Sequence, residues 1–188
     1  MDPRLNALLD QQEIRDVISQ YCRGIDRRDF ERVRACYHPD GTDEHGSFTG
    51  DVDAFVAWVG KLTARYRFTM HLVGQVLIEF EEVATGSPNV AAVETVGVSI
   101  HRSDEEKAYL NLATGFRYLD RFERRAGGND GAGAWKIATR KAIGEWSVQL
   151  PADAWWEIPD AQSGSRRDSS DPLYALLAAL QPGNRTTS

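Results

Sequence analysis

The chain has 188 residues, 41% hydrophobic and 27% charged, with a formal net charge of −6; that length suits one domain with a sizeable core. Arginines and carboxylates are interspersed, which argues against a nucleic-acid partner, and no apolar run approaches the ~18 residues of a membrane span. The N-terminal MDPRLNALLDQQE lacks the cationic-then-apolar order of a secretion signal, and two cysteines without CxxC spacing, Cys22 and Cys36, suit reduced buried thiols in a cytoplasmic protein.

Leu5 to Leu9 reads as a short leading helical turn. Asp10 and Glu13 have capping-box spacing and open an amphipathic helix. Ile14, Val17, Ile18, Tyr21, Cys22 and Ile25 form its buried stripe. Asp26 falls at the end of this helix, where an anion opposes the helix dipole and requires a partner. Arg23, Arg27 and Arg28 are local candidates, and a distant histidine is the other. Asp29 caps a second helix, FERVRACYH, with Pro39 as the stop. PDGTDEHGSFTG then reads as a loop with one short strand around Glu44 to Phe48. A third helix spans 51–66, with Asp51 or Asp53 as cap.

From Phe68 the period changes from 3.6 to 2. FTMHLVGQVLIEFE places Met70, Leu72, Val76, Ile78 and Phe80 on one face and His71, Val73, Gln75 and Leu77 on the other, with Gly74 as a bend point. VAAVETVGVSIH is a second strand, AYLNLATGFRYLDRFERR a third, and WKIATRKAIGEWSV a fourth after the flexible loop AGGNDGAGA. Three helices followed by four hairpin-connected strands predict an α+β fold with an antiparallel sheet packed on the helices. Residues 1–150 form that domain. Residues 151–188 form an extension carrying a short apolar helix, DPLYALLAAL, before a frayed QPGNRTTS end. Such a helix cannot stay in water alone, so residues 152–182 are expected to cover a pocket mouth or clasp a neighbouring subunit.

The order of elements, the stretch YCRGIDRRDFERVRACYHPDGTDEHG and the strand TMHLVGQVLIEF together resemble the SnoaL-like branch of the nuclear-transport-factor-two-like superfamily over residues 5–150. The resemblance implies a cone-shaped, curved antiparallel sheet with three N-terminal helices enclosing an apolar pocket. Members include scytalone and bile-acid dehydratases, a hexachlorocyclohexane dehydrochlorinase, polyketide cyclases, ketosteroid isomerases and lyases that release formaldehyde from lignin-derived aromatic dimers. Others bind ligands without turnover or serve as dioxygenase small subunits. Several of the dehydratases carry a Tyr five residues before an Asp at the end of the first long helix, matching Tyr21 and Asp26. They carry a His on the first long strand, matching His71, and often an Arg on a late strand, for which Arg140 is the best match. Scytalone dehydratases have a second strand His. His101, at a strand end, matches it poorly, and His45 in the DEHG loop is taken for that role.

On this reading Asp26 fixes the tautomer of His71, making it a general base. Tyr21 hydrogen-bonds a substrate oxygen, and His45 acts as general acid on a leaving hydroxyl. Arg140, flanked on its face by Ala138, Ala142 and Gly144, receives developing oxyanion charge; a salt bridge to Glu94 or Glu145 is its structural alternative. Asp43, Asn111, Tyr109 and Trp146 are candidate substrate contacts. His38, His45 and His71 lack metal-ligand spacing, and no nucleotide-binding motif is present, so neither metal nor cofactor is expected. The expectation is a cofactor-independent lyase that eliminates water or formaldehyde from a hydroxylated aromatic or polycyclic small molecule, lignin-derived diaryl compounds included. An isomerase or cyclase using the same site, and a non-catalytic ligand-binding or dioxygenase small-subunit-like module, are the alternatives. The apolar C-terminal helix and open sheet edges favour a homo-oligomer, a trimer over a dimer.

Overall fold

The structure is a computed structural model that describes residues 2–84, 86–125, 133–156, 158–159 and 164–180. Helix α1 (Pro3–Arg27) begins earlier than the sequence suggested, with Asp2 accepting from the Arg4 N–H at 2.9 Å. Asp10 and Glu13 therefore lie inside the helix and do not cap it. They have stronger partners across the fold. Asp10 accepts from Arg124 Nη1 at 2.6 Å and Trp135 Nε1 at 3.1 Å, and Glu13 accepts from the Trp135 N–H at 2.9 Å. The helix ends where Arg28 turns left-handed, at φ +55°. Gly24 lets the next helix approach, since a Cβ there would lie 2.7 Å from the Val33 side chain.

Helix α2 (Phe30–Ala35) is shorter than predicted. Residues 37–45, expected as helix end and loop with a short strand only around Glu44 to Phe48, form strand β1 (Tyr37–His45), which turns at Gly46 (φ +62°) into β2 (Phe48–Asp51). A two-residue turn requires such a left-handed position. Pro39 falls in the irregular stretch of β1, where its missing N–H breaks no ladder bond. Helix α3 (Val52–Thr63) is capped by Asp51. Then come β3 (Phe68–Phe80), β4 (Val90–Arg102), a 3₁₀ turn (Glu105–Leu110), β5 (Leu112–Arg124) and β6 (Trp135–Gln149). The loop assigned to 126–134 lies almost wholly outside the described residues, as does the 181–188 end.

The six strands form one curved, unclosed sheet in the order β2-β1-β6-β5-β4-β3. All pairs are antiparallel except β1 with β6, which run parallel. That junction puts Asp43 beside Arg140 and His45 beside Ala142. The core joins Ile14, Ile18, Tyr21 and Ile25 of α1 and Val52, Phe55 and Val59 of α3 to Val93, Phe116, Tyr118, Phe122 and Ile137 of the sheet. The fold is thus the expected α+β cone, with a β1–β2 hairpin between the second and third helices. Cys22 and Cys36 are free and buried. Burial pushes their thiols up to about 12 and about 11, so both stay protonated at neutral pH.

Candidate active site

The concave face of the sheet and helices α1 and α3 enclose a cavity of ≈ 210 Å³. Its aromatic and aliphatic walls come from Ile25, Val59, Leu62, Phe116 and Tyr118, among others. Hydroxyls and imidazoles are set among these walls. They include Tyr21, His45, His71, His101 and Ser99.

Strand β3 delivers His71. On the first half of β3, odd-numbered His71 points inward, while Met70 and Leu72 are 40% and 54% exposed. Between Val73 and Val76 the ladder slips: three steps on β3 match two on β4. This bulge at Gly74 reverses the alternation, so that Val76, Ile78 and Phe80 then face the core. The single apolar face read from the sequence is therefore two half-faces on opposite sides.

Asp26 meets His71 at two points. Its Oδ1 accepts from Nδ1 of the ring at 2.7 Å, and its Oδ2 accepts from the His71 backbone N–H at 2.9 Å. Both side chains are largely buried. A carboxylate at Nδ1 fixes the tautomer with the proton on that nitrogen and leaves Nε2 as the free lone pair. The same two bonds answer the unfavourable position of Asp26 at a helix C-terminus. Arg27, one of the local alternatives, pairs instead with Asp171 at 3.4 Å.

His45 comes from β1. Its ring stacks on Phe55 at 5.6 Å and lies near Trp58 and Tyr118. Its Nδ1 lies 3.4 Å from Oδ1 of buried Asp43, whose other oxygen accepts from the Tyr37 hydroxyl at 2.5 Å. Asp43 thus stands behind His45, away from the cavity wall.

His101 belongs to the site as well. His71 sits opposite Ser99 in the β3–β4 register, so His101 is its diagonal neighbour, with ring centroids 6.1 Å apart. Burial, followed by the nearby His71, lowers the His101 imidazole to about 4. It is neutral at physiological pH. The strand runs on to Arg102, so the position that looked like a strand end is inside the ladder.

The remaining candidates lie elsewhere. Arg140 is fully sequestered beneath the cavity floor. It makes a bidentate pair with Asp120, at 2.7 and 2.6 Å, and its guanidinium sits 4.1 Å from the ring centres of both Tyr21 and Tyr118. Burial opposes its charge, but Asp120 holds its pKa well above the ordinary value. It contacts neither an open ligand space nor Glu94 and Glu145, both of which pair with Arg117. Asn111 is a loop anchor: its Oδ1 accepts from the Ser103 N–H at 2.7 Å. Tyr109, expected on a strand face, lies on the 3₁₀ turn and is 68% exposed. Trp146 lies on the outer face of the sheet over Gly115, 48% exposed. Tyr21 does reach the cavity. Burial keeps its hydroxyl, and that of Tyr118, far above the usual phenol range, so both act only as neutral phenols.

A curved sheet wrapped around an apolar cavity that holds imidazoles and a buried carboxylate defines a small-molecule site of the cone-fold class. The SnoaL-like domain matches residues 6–141, and the chain belongs to this SnoaL-like family of the nuclear-transport-factor-two-like superfamily. No curated protein matches the sequence. Among solved structures, a candidate scytalone dehydratase from Novosphingobium aromaticivorans DSM 12444 is 21% identical, with a TM-score of 0.63 over 81% of this chain and 95% of that one. A type 2 hexachlorocyclohexane dehydrochlorinase, LinA, is 19% identical, with a TM-score of 0.68 over 84% and 99%. A type 3 form from Novosphingobium barchaimii LL02 is 18% identical, with the same score over 82% and 99%. At these identities the likeness is one of fold. No described helix is long and apolar enough to cross a membrane.

Proposed function

We propose that the protein is a cofactor-independent lyase that eliminates water, or formaldehyde, from a small hydroxylated molecule. The observation that carries this is the two-point grip of Asp26 on His71 at the wall of a half-enclosed cavity with mostly apolar walls. In loss of water, His71 Nε2 removes a proton from carbon as the neighbouring hydroxyl leaves; in loss of formaldehyde, a benzylic hydroxyl leaves first, His71 then deprotonates the hydroxymethyl group, and the electrons of the breaking C–C bond pass to the quinone-methide-like intermediate. His45, backed by Asp43, is the acid that protonates the departing oxygen. His101, being neutral, orients the substrate by hydrogen bonding, and Tyr21 donates to a substrate oxygen. Arg140 acts only indirectly, by holding Tyr21 and Tyr118 in place. The candidate scytalone dehydratase and the dehydrochlorinase of the same fold favour an elimination without supplying its substrate.

The cavity volume narrows the substrate. At ≈ 210 Å³ it lies below the ~300–1,000 Å³ typical of drug-sized ligand pockets. A single-ring compound fits this space better than the polycyclic or diaryl molecules the family resemblance brings in. The test is turnover of a panel of single-ring and diaryl alcohols after exhaustive chelation. His71→Ala and Asp26→Asn should each lower kcat/KM by at least ~10²-fold. Wild-type rates in either variant sink the proposal. A product of unchanged mass would make the reaction an isomerisation instead.

The same reading takes the protein to be a homo-oligomer, a trimer in preference to a dimer. Support comes from the outer face of the sheet. The register aligns Leu72, Val98, Gly115 and Trp146 in one cross-strand row and Met70, Ile100, Ala113 and Val148 in the next. Leu72, Met70, Trp146 and Val148 are each at least 40% exposed, an extent of apolar surface that commonly marks an interface.

A further inference from the structure

The segment after the sheet carries an arginine that no expectation from the sequence involved. Arg167 inserts its guanidinium where three elements converge. Its Nε donates to the Asp26 carbonyl at 3.2 Å, the last turn of α1. Its Nη1 donates to the carbonyls of Thr63, at 3.0 Å, and Tyr66, at the end of α3 and in the loop beyond it. Its Nη2 donates to the Thr69 hydroxyl at 3.1 Å, two residues before His71 on β3. One planar fork thus ties the residue that bears the carboxylate to the strand that bears the imidazole.

The segment is itself anchored. Asp171 caps α4 (Pro172–Ala179) by accepting from the Leu173 N–H at 3.1 Å. It also accepts from the Arg166 N–H at 2.8 Å and pairs with Arg27. The Tyr174 hydroxyl donates to Asp29 at 3.3 Å. Both anchors sit on the α1–α2 junction. Arg167 stays a cation even though burial lowers it to about 10. A cation at the carbonyl end of α1 also offsets the dipole that disfavours Asp26 there.

We propose that Arg167 is a positioning residue for the Asp26–His71 pair: by bridging the end of α1 to the start of β3 it holds the carboxylate in register with the ring and the backbone N–H of residue 71. This rests on the reading of His71 as the acting base, but its test is made on the imidazole itself. Histidine-labelled protein is examined by nitrogen-15 NMR, with the His71 signals assigned from a His71→Gln variant. In the wild type the neutral His71 ring should show only the Nδ1–H tautomer, with a downfield, slowly exchanging Nδ1 proton. In Arg167→Gln that proton should broaden or vanish and the ring should report a mixture of tautomers. In Arg167→Lys, whose point charge cannot span the three carbonyls, the change should be intermediate. A comparably destabilised Val33→Ala protein should leave the His71 signals as they are. Where a turned-over substrate is in hand, kcat should fall at least about tenfold in Arg167→Gln with KM little changed.

A folded Arg167→Gln protein with unaltered His71 signals overturns the proposal. If that variant does not fold, unaltered signals in Arg167→Lys overturn it equally. The two readings fail separately. Arg167-sensitive His71 signals in a protein that turns nothing over would retain the positioning role and discard the lyase. Loss of turnover in His71→Ala with Arg167-insensitive signals would do the reverse.

Discussion

At the scale of single residues, the site is a set of side chains whose charge states are set by their neighbours. His101 shows this most directly. Its folded imidazole titrates near 4, against an ordinary value near 6.5. Between those values the unfolded chain binds a proton that folded His101 refuses, so its contribution to stability is complete above about pH 6.5 and is lost as the pH falls towards 4. Urea unfolding at pH 7 and at pH 4.5 should differ by about 2–3 kcal/mol more in the wild type than in His101→Phe. An identical pH dependence in the two proteins would show that His101 is not the group responsible. Arg140 has the opposite character. Arg140→Gln leaves Asp120 buried without its partner and should cost about 3–5 kcal/mol, read from the denaturation midpoint. The sequence marked Arg140 as important without identifying its partner. Asp120 is directly opposite it in the β5–β6 register, and that register is fixed only when the strands pair. Asp26 was more legible, because its placement at a helix end demanded a partner. That His71 supplies it followed from family likeness, since no local pattern joins residues 26 and 71.

At the scale of elements, periodicity located most helices and strands and failed where a single residue changes phase. Helices α1 and α3 and strands β3 to β6 are all visible as runs of one period. Gly74 stands out in the sequence as a bend point, and the ladder does slip there; the reversal of phase does not show, because an extra residue in a strand leaves no mark in composition. A deletion of Gly74 should force the two halves of β3 to share one phase. Either His71 turns outward or Val76, Ile78 and Phe80 leave the core, so the variant should lose activity or stability, as separate measurements of turnover and thermal unfolding would show. Residues 37–43 were missed as strand because Pro39, Gly41 and the acids Asp40 and Asp43 carry little strand propensity. Pairing on both sides, with β2 and β6, outweighs that local preference. Tyr109 fell on a turn for a related reason: the ladder of β5 starts only at Leu112, after the Asn111 side chain has closed the loop on Ser103. On β4, Gly97 allows close approach, as an added Cβ would lie 2.5 Å from the Phe116 ring and 2.8 Å from the Leu72 carbonyl. Gly97→Ala should therefore destabilise by about 1–3 kcal/mol in thermal unfolding and distort the cavity wall at Phe116.

At the scale of the whole molecule, the cone was the most secure inference from sequence and its contents were the least. Element order constrains how a sheet can wrap, while the size of the space left inside depends on every rotamer around it. Strands β3, β4 and β5 also have two occupations. His71, Ser99 and Thr114 look into the cavity, and one residue along each strand Leu72, Val98 and Gly115 look out. A membrane of backbone a single layer thick divides the two. Anything that settles on the outside, whether a second copy or a detergent micelle, presses on the reverse of the cavity wall. Turnover measured at high dilution should then differ from turnover in concentrated stock, because the chamber would be stiffened from without.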